Sequence, residues 1–338
     1  MTADFRVHGV LAAGAVTAFS IVKNEMFYMP SFLDHHRRLG VQQFLILDDR
    51  SSDGTREYLA EQPDCVVVES DLTFGDPVEV RGPEGPRRTR AGIAFKSWLP
   101  QRFLRDRYAL YLDADEYLVL PRGLSSVGQV FELLDRHDAA AVCAPMVDFY
   151  PATVAQMDVP QVLPTAAAML GAYALFDAVP LLGWTPKQTE PVRLDENAST
   201  RLFRKHGIKT VPARMERAPA WLNRILPYPY PETNTLKTPI VRWRDGVRYL
   251  NSHWASVAPS RKIMVGLAHL KFTYDLSRRT AYALESKVYV RGSRKYQWYE
   301  LLLDSMRRRD PSFLGPRSRR YESPDDFADV GLTQLDLC

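Results

Sequence analysis

Cysteine and long apolar runs are the scarcest features of this 338-residue chain. Its three cysteines, Cys65, Cys143 and Cys338, lie far apart and form no Cys-x-x-Cys pair. This spacing argues against a zinc knuckle and a disulfide framework, so a reducing compartment fits best. No window reaches the roughly 18 to 20 apolar residues that a membrane helix needs. Residues 10–22 are too short to span a bilayer and lack a charged targeting region, so we expect a first strand there.

The chain also lacks a strong excess of either charge. Its formal net charge is +4 at pH 7 and its basic residues are scattered, which argues against dedicated binding of nucleic acid. We find no internal repeats. With 46% hydrophobic and 25% charged residues, the composition is typical of a globular chain with one large domain or two smaller ones.

What the chain does contain is an alternation of short apolar strands and amphipathic helices. Strands are predicted over residues 15–22, 41–47 and 65–68, and helices over residues 29–39 and 56–60. This alternation predicts an α/β fold with a parallel, doubly wound sheet. Residues 75–90, rich in Pro, Gly and Arg, predict a long surface loop before a helix over residues 89–104.

The most informative stretch spans residues 107–121, where an apolar strand meets three acids within four residues and then resumes. Because uncompensated carboxylates are costly to bury, Asp113, Asp115 and Glu116 should lie at the carboxyl end of the strand, near a cation or a ligand. Oxygen-rich clusters of this kind suit Mg²⁺ or Mn²⁺. A solvated turn explains the spacing equally well, since short motifs often match by chance.

Two earlier strands end in polar residues as well. Lys23-Asn24-Glu25 follows the first strand, and Asp48 and Asp49 follow the second. Ligands of doubly wound sheets bind outside the carboxyl ends of the strands. The three polar ends therefore predict one shared binding site.

These blocks, in this order, resemble the signature of family-2 glycosyltransferases of GT-A fold, and most closely a bacterial branch with an Asp-Ala-Asp-Glu metal motif. The similarity rests on residues 23–25, 47–55 and 112–118 and continues through residues 146–150, 236–243, 252–253 and 268–272. The expected fold is a GT-A-like doubly wound mixed sheet flanked by helices. We expect a nucleotide-sugar half over residues 10–145, an acceptor half over residues 146–276, and a helical C-terminal extension with a tail over residues 277–338.

The resemblance implies a metal-dependent, inverting glycosyltransferase of the hexosyltransferase type. The donor would be a nucleotide sugar, UDP- or GDP-linked, and the acceptor a carbohydrate or a lipid-linked glycan such as a lipopolysaccharide or exopolysaccharide precursor. A cytoplasmic location is expected, with peripheral contact at the inner face of the membrane left open. A sugar nucleotidyltransferase and a non-catalytic glycan-binding relic of the fold are the alternatives. A haloacid-dehalogenase-type phosphatase fits poorly, because Tyr117 and Leu118 stand where Thr or Val is expected.

The predicted site residues fall into three groups. The donor-binding candidates are Lys23, Asn24, Glu25, Asp48, Asp49, Arg90 and Asp113. For Arg90, a place in a solvated basic face is the more common explanation. The candidates for binding Mn²⁺ or Mg²⁺ are Asp115 and Asp113 together with a late histidine. For this histidine, His269 is preferred to His253. Glu116 is expected to support this metal shell.

Inversion requires a general base, and the sequence offers Asp148 as the first choice and Glu196 as the second. Asp148 follows an apolar run, and a role as a hydrogen-bond partner explains it as well as a role as the base. The order Asp195-Glu196 reverses the pair found in better-known family-2 enzymes. Trp184 and Trp221 are candidates for stacking on acceptor sugars, although aromatic residues more often anchor a core.

Overall fold

The computed structural model describes residues 3–82, 85–186, 188–209, 235–286 and 290–336. The helices in these ranges are α1 (Met29–Arg38), α2 (Thr55–Ala60), α3 (Ala91–Phe103), α4 (Val127–Arg136), α5 (Val154–Met157), α6 (Ala166–Ala172), α7 (Ala198–Lys205), α8 (Asp275–Ser286), α9 (Val290–Arg308) and α10 (Asp325–Ala328). The strands are β1 (Phe5–His8), β2 (Thr17–Val22), β3 (Gln43–Asp48), β4 (Cys65–Ser70), β5 (Pro77–Gly82), β6 (Gly85–Arg90), β7 (Tyr108–Tyr111), β8 (Glu116–Val119), β9 (Ala141–Asp148), β10 (Leu175–Asp177), β11 (Leu182–Gly183), β12 (Val192–Arg193), β13 (Leu236–Arg242), β14 (Ile263–Met264), β15 (Gly266–His269), β16 (Ser318–Arg320) and β17 (Gln334–Leu335).

The central sheet is mixed. Its strand order is β1-β4-β3-β2-β7-β13-β9-β14-β17, and β15 links β8 to β9. Strands β2, β3, β4 and β7 are parallel, whereas β13 runs antiparallel between β7 and β9. A mixed α/β sheet flanked by helices is therefore confirmed, and the GT-A-like arrangement stays a prediction. The predicted halves meet in this one sheet, and their boundaries remain predictions.

Helices cover both faces of the sheet because its strands are apolar on both sides. All eight residues of β9 are buried, the pattern expected of a strand that is covered on two faces. Phe32 and Leu33 of α1 pack in the core on one face, and Phe95 and Leu99 of α3 pack in the core on the other. The predicted helices over residues 29–39 and 89–104 thus supply the two layers that flank the sheet.

Two features differ from the sequence prediction. The predicted surface loop over residues 75–90 is wrong, because β5 and β6 form an antiparallel hairpin. The Pro and Gly content suggested a loop, but Val78 and Val80 alternate with polar residues as in a half-buried strand, and Val78 is buried. The structure also adds β1 before the predicted first strand, paired antiparallel with β4.

The C-terminal part is helical and then returns to the sheet. Helix α9 packs through Tyr299, Leu302 and Met306 against a cluster that includes Phe272 and Phe313. In the tail, β17 extends the sheet edge by pairing with β14. Within the described ranges, we find no helix that combines the length and the apolar character required to cross a membrane.

Candidate functional site

Polar residues at the ends of seven strands lie at one edge of the sheet. Strands β2, β3 and β7 are parallel neighbours, and β9 runs parallel to β15 with Asp148 opposite His269. Since β13 is antiparallel to both β7 and β9, the carboxyl ends of β7 and β9 lie at the same edge. Strands β13 and β8 begin there, which adds Lys237 and Glu116. The topology explains why distant sequence blocks meet at one place.

Asp113 lies just after β7 inside a cluster of fixed charges. The Tyr111 hydroxyl donates to Asp113 Oδ1, and Lys237 Nζ donates to Asp113 Oδ2 at 3.2 Å. Lys237 also donates to Glu116 Oε2, which accepts the backbone N–H of Asp113 at 2.8 Å. The Lys237 side chain is fully buried, whereas 37% of the Asp113 side chain is exposed. Asp113 is therefore the member of this cluster that reaches solvent.

The charges of this cluster depend on one another. Burial raises the pKa of Glu116 to about 7. At Asp113, burial favours the neutral acid, but Lys237 and Lys96 outweigh it and hold the pKa of the carboxyl below its usual value. At neutral pH Asp113 is thus an ionised carboxylate that two lysines compensate.

Lys96 of α3 is the second buried lysine at this cluster. Its ammonium lies 4.6 Å from the centre of the Tyr111 ring, and that of Lys237 lies 4.2 Å from the same centre. Lys96 Nζ also donates to the Ser252 carbonyl at 3.1 Å. Burial lowers the pKa of Lys96 to about 8. Two ammonium groups beside a partly exposed carboxylate suit a phosphate-bearing ligand, since lysine binds phosphate as a point charge.

Asp115 faces the other side of the acidic turn. It is 6% exposed, and its Oδ2 accepts a hydrogen bond from Arg279 at 2.8 Å and lies 3.5 Å from His269 Nε2. Burial favours the neutral acid, but Arg279 and His269 outweigh it and hold the pKa of Asp115 well below its usual value. Asp115 is thus a buried, ionised carboxylate held between a guanidinium and an imidazole.

His269 connects Asp115 to Asp148. Its Nδ1 donates to Asp148 Oδ1 at 3.1 Å, and Asp148 Oδ2 accepts the backbone N–H of Ser199, at the start of α7, at 3.0 Å. Burial lowers the pKa of His269, but Asp115 and Asp148 outweigh it and raise that pKa overall. Asp148 is 3% exposed. Both carboxylate oxygens of Asp148 thus accept hydrogen bonds in this structure. Whether Asp148 is a general base or a hydrogen-bond partner stays a prediction.

The first two strand ends are also in contact. Lys23 Nζ donates to the Asp49 carbonyl at 2.9 Å and lies 3.6 Å from Asp49 Oδ2. Asn24 adopts a φ of 56°, and its side-chain oxygen accepts the backbone N–H of Ser52 at 2.7 Å. The two predicted blocks therefore form one wall of the site.

Several carboxylate oxygens of this wall have no partner. Among the described side chains, Asp48 Oδ1, Asp49 Oδ1 and Glu25 Oε2 are buried without a hydrogen bond. Burial raises the pKa of Asp49, and it raises the pKa of Glu25 to about 8. A buried acceptor that stays unpaired is costly, so these oxygens are suited to a ligand that brings hydroxyl or N–H donors.

The remaining predicted residues have other contacts. Glu196 precedes the cap of α7 and pairs with Arg204, and the His253 carbonyl accepts the backbone N–H of Thr238, next to Lys237, at 2.8 Å. The Arg90 guanidinium lies 5.5 Å from the centre of the Phe74 ring and adds to the positive field at Lys96. The structure tests none of these assignments. The Arg261 guanidinium covers the Trp184 ring at 5.2 Å, and Trp221 lies outside the described residues.

The donor set fits a divalent metal only with help from a ligand. In the described ranges, no cluster of three or more His, Cys, Asp or Glu side chains could hold a metal ion. Asp115 and His269 do converge, with Oδ2 and Nε2 3.5 Å apart. Mg²⁺ commonly takes one or two carboxylates and completes its shell with substrate phosphates and water, and imidazole also suits Mn²⁺. Asp148 holds His269 as carboxylates hold metal-bound histidines.

Two residues with large roles in this site carry no sequence prediction. Lys237 neutralises Asp113 and Glu116, and Arg279 neutralises Asp115. A lysine inside the apolar run of β13 is a signal that could have been used, because buried lysines need an acidic partner. Arg279 carries no such signal, since arginines at the start of a helix are ordinary surface residues.

Comparison with known proteins identifies no family for this chain. No family model and no curated protein matches this chain. Among solved structures, S. aureus TarS aligns with a TM-score of 0.30 and 14% identity, over 87% of this chain and 43% of that one. The chain thus spans less than half the length of that protein. An overlap at this TM-score does not bear on the fold or the function of this chain.

Proposed function

We propose that this chain is a GT-A-like glycosyltransferase that transfers a sugar from a nucleotide donor to a glycan acceptor. The observation that carries the proposal is the shared edge of the sheet. There the polar ends of β2, β3 and β7 adjoin the Asp115–His269–Asp148 chain of contacts. Nucleotides bind outside the carboxyl ends of doubly wound strands. The ordered sequence blocks that resemble family-2 enzymes lie at the same strand ends.

The wall formed by β2 and β3 suits the nucleoside. Asp48 and Asp49 keep one buried oxygen each without a partner, and a ribose hydroxyl or a base N–H would supply the missing donor. Asp113, with 37% of its side chain exposed, is the third acceptor within this proposal. Lys96 and Lys237 are buried, so they would favour the negative charge that develops on the diphosphate through their positive field and not by direct contact.

Asp115 and His269 would hold a divalent metal, which supplies Lewis-acid stabilisation of the leaving diphosphate when bound. Asp148 orients the imidazole through its Nδ1 contact at 3.1 Å. Glu116 would stabilise the acidic turn through its contacts with Lys237 and the backbone N–H of Asp113. Each of these side chains acts by binding or by orienting a neighbour.

The proton of the acceptor hydroxyl requires a base. Asp148 is already occupied on both oxygens and is 3% exposed, so we favour Glu196 among the two predicted residues. Glu196 lies three residues before Ser199, and its present partner is the exposed Arg204. An acceptor of the glycan or lipid-linked glycan class remains part of the proposal.

The test is a panel of UDP- and GDP-sugars with Mn²⁺ or Mg²⁺, followed by release of nucleoside diphosphate. We expect release with at least one donor, and we expect Asp115→Asn to reduce it by 100-fold or more, a typical loss when stabilisation of the leaving group is removed. Asp304→Asn is the matched control, because Asp304 is 48% exposed on α9 and pairs with Arg308 in the same helix. No release from any donor, with the fold intact, would refute the proposal.

A sugar nucleotidyltransferase is the second candidate from the sequence. Such enzymes bind a nucleoside triphosphate in a glycine-rich loop after the first strand, whereas β2 is followed by Lys23-Asn24-Glu25. Pyrophosphate release from a nucleoside triphosphate and a sugar phosphate would favour that reaction. Binding of glycan without nucleotide or metal would favour a non-catalytic relic of the fold.

A further inference from the structure

Arg279 contacts Asp115, the carboxylate that is proposed to bind the metal. Its guanidinium donates to Asp115 Oδ2 at 2.8 Å and to the Tyr28 hydroxyl at 3.0 Å, and its Nε lies 3.0 Å from Asp275 Oδ2. The guanidinium also lies 5.0 Å from the centre of the Tyr28 ring. Only 16% of the side chain is exposed. Helix α8 thus inserts a buried cation into the acidic corner.

Arg279 and His269 approach the same oxygen of Asp115. Arg279 donates to Oδ2, and His269 Nε2 lies 3.5 Å from it, so a metal bound between Asp115 and His269 would lie close to the oxygen that Arg279 now holds. A divalent ion and a guanidinium on one carboxylate oxygen repel each other, and the low dielectric of a buried corner strengthens that repulsion. Binding of a metal at this oxygen therefore weakens the contact of Arg279, and the contact of Arg279 weakens the binding of a metal.

We propose that Arg279 and the divalent metal compete for Asp115, and that Arg279 moves to the diphosphate of the donor when the metal takes the carboxylate. The inference rests on the proposed function, since it assigns a cation exchange to the same site. Without donor, Arg279 compensates Asp115 and metal binds weakly. With donor, the diphosphate offers the guanidinium a new anionic partner, and the metal can then bind Asp115 and His269.

Two features make this exchange feasible. Arg279 lies in the first turns of α8, beside Arg278, whose guanidinium donates to the Asn24 carbonyl at 2.6 Å. The start of α8 is thus tied to the wall that is proposed to bind the nucleoside. Cations also flank the acidic turn on both sides, with Lys237 at Asp113 and Arg279 at Asp115. A guanidinium binds phosphate with a fixed fork of N–H donors.

The test measures Mn²⁺ binding by calorimetry and by electron paramagnetic resonance, so activity is not needed. We expect Arg279→Gln to bind Mn²⁺ alone at least about fivefold more tightly than the wild type, the low end of usual coupling factors. Adding UDP or GDP should tighten Mn²⁺ binding strongly in the wild type and much less in the variant. Asp115→Asn in the Arg279→Gln background should abolish the gain.

Arg308→Gln is the control, because it removes the same charge from a surface position of a helix. Its side chain is 74% exposed and pairs with Asp304 in α9, so its Mn²⁺ affinity should stay within twofold of the wild type. If Arg279→Gln does not fold, Tyr28→Phe removes only the hydroxyl that accepts from Arg279 and should shift Mn²⁺ affinity in the same direction, to a smaller extent.

The outcomes separate the inference from the proposed function. If the wild type and Arg279→Gln bind Mn²⁺ with equal affinity, or if Arg308→Gln gains as much affinity as Arg279→Gln, the proposed competition is overturned and the proposed nucleotide site is not affected. No binding of Mn²⁺ by any folded variant, with or without UDP or GDP, overturns the metal site and the inference with it.

Discussion

Lys237→Met should reveal how strongly the acidic turn depends on one buried cation. Lys237 is fully buried and lies 3.2 Å from Asp113 Oδ2, and it also contacts Glu116. Methionine keeps the length of the side chain and removes the charge. Two carboxylates then share a poorly solvated site with Lys96 as the remaining nearby ammonium. Loss of one partner from a buried pair costs about 3–5 kcal/mol of the free energy of unfolding.

The cost should depend on pH in a defined direction. Burial already raises the pKa of Glu116 to about 7 while Lys237 is present, and removing Lys237 raises it further. A carboxyl whose folded pKa exceeds its unfolded value loses stability as pH rises through that window. The destabilisation should therefore be largest near pH 8 and smaller near pH 5, where Glu116 takes up a proton.

Urea unfolding at pH 8 and pH 5 measures this effect. We expect the unfolding midpoint at pH 8 to fall by about 1 M or more with an unchanged slope. Glu116→Gln in the same chain should recover part of the loss. The control is Lys205→Met, whose partner Asp310 is 46% exposed, so that change should cost about 1 kcal/mol or less. A loss below about 1 kcal/mol for Lys237→Met, or an equal loss at both pH values, would refute the reasoning.

Further predictions follow from other contacts. Burial raises the pKa of Glu25 from 4.5 to about 8, so its contribution to the free energy of unfolding falls as pH rises from about 5 to 8. Glu25→Gln should flatten this pH dependence in urea unfolding, and an unchanged pH profile would contradict the prediction. Asp148→Asn should weaken Mn²⁺ binding in the presence of UDP or GDP by about 10- to 100-fold, because it removes the carboxylate that orients His269. An unchanged Mn²⁺ affinity would contradict the role of His269 as a metal ligand. Gly92→Ala should lower the free energy of unfolding by about 1–3 kcal/mol in thermal unfolding, because a Cβ there would lie 2.1 Å from the Phe74 ring. An unchanged stability would mean that the Phe74 ring moves aside.

The strand ends of the site could be predicted because they depend on local pattern. Each apolar run stops where polar residues begin, and a buried strand cannot continue into charge. This reasoning located Asp48, Asp49 and Asp113 at strand ends, and the structure has them there. The fold class followed from the same alternation of strands and helices.

The contacts between strand ends could not be predicted from local pattern. His269 meets Asp148 only because β15 pairs with β9 in one register, and sequence alone does not fix that register. Arg279 reaches Asp115 across 164 residues of chain. The hairpin of β5 and β6 was missed because Pro and Gly outweighed a weak alternation of Val78 and Val80 with polar residues.

Titration of the wild type and Asp115→Asn with UDP and with GDP, each with and without Mn²⁺, tests the central claim most directly. The account predicts that one nucleoside diphosphate binds the wild type more tightly when Mn²⁺ is present. It also predicts that Asp115→Asn loses this metal-dependent gain by tenfold or more while unfolding cooperatively. The account is contradicted if neither nucleotide binds the folded wild type with Mn²⁺, or if Asp115→Asn binds as tightly as the wild type.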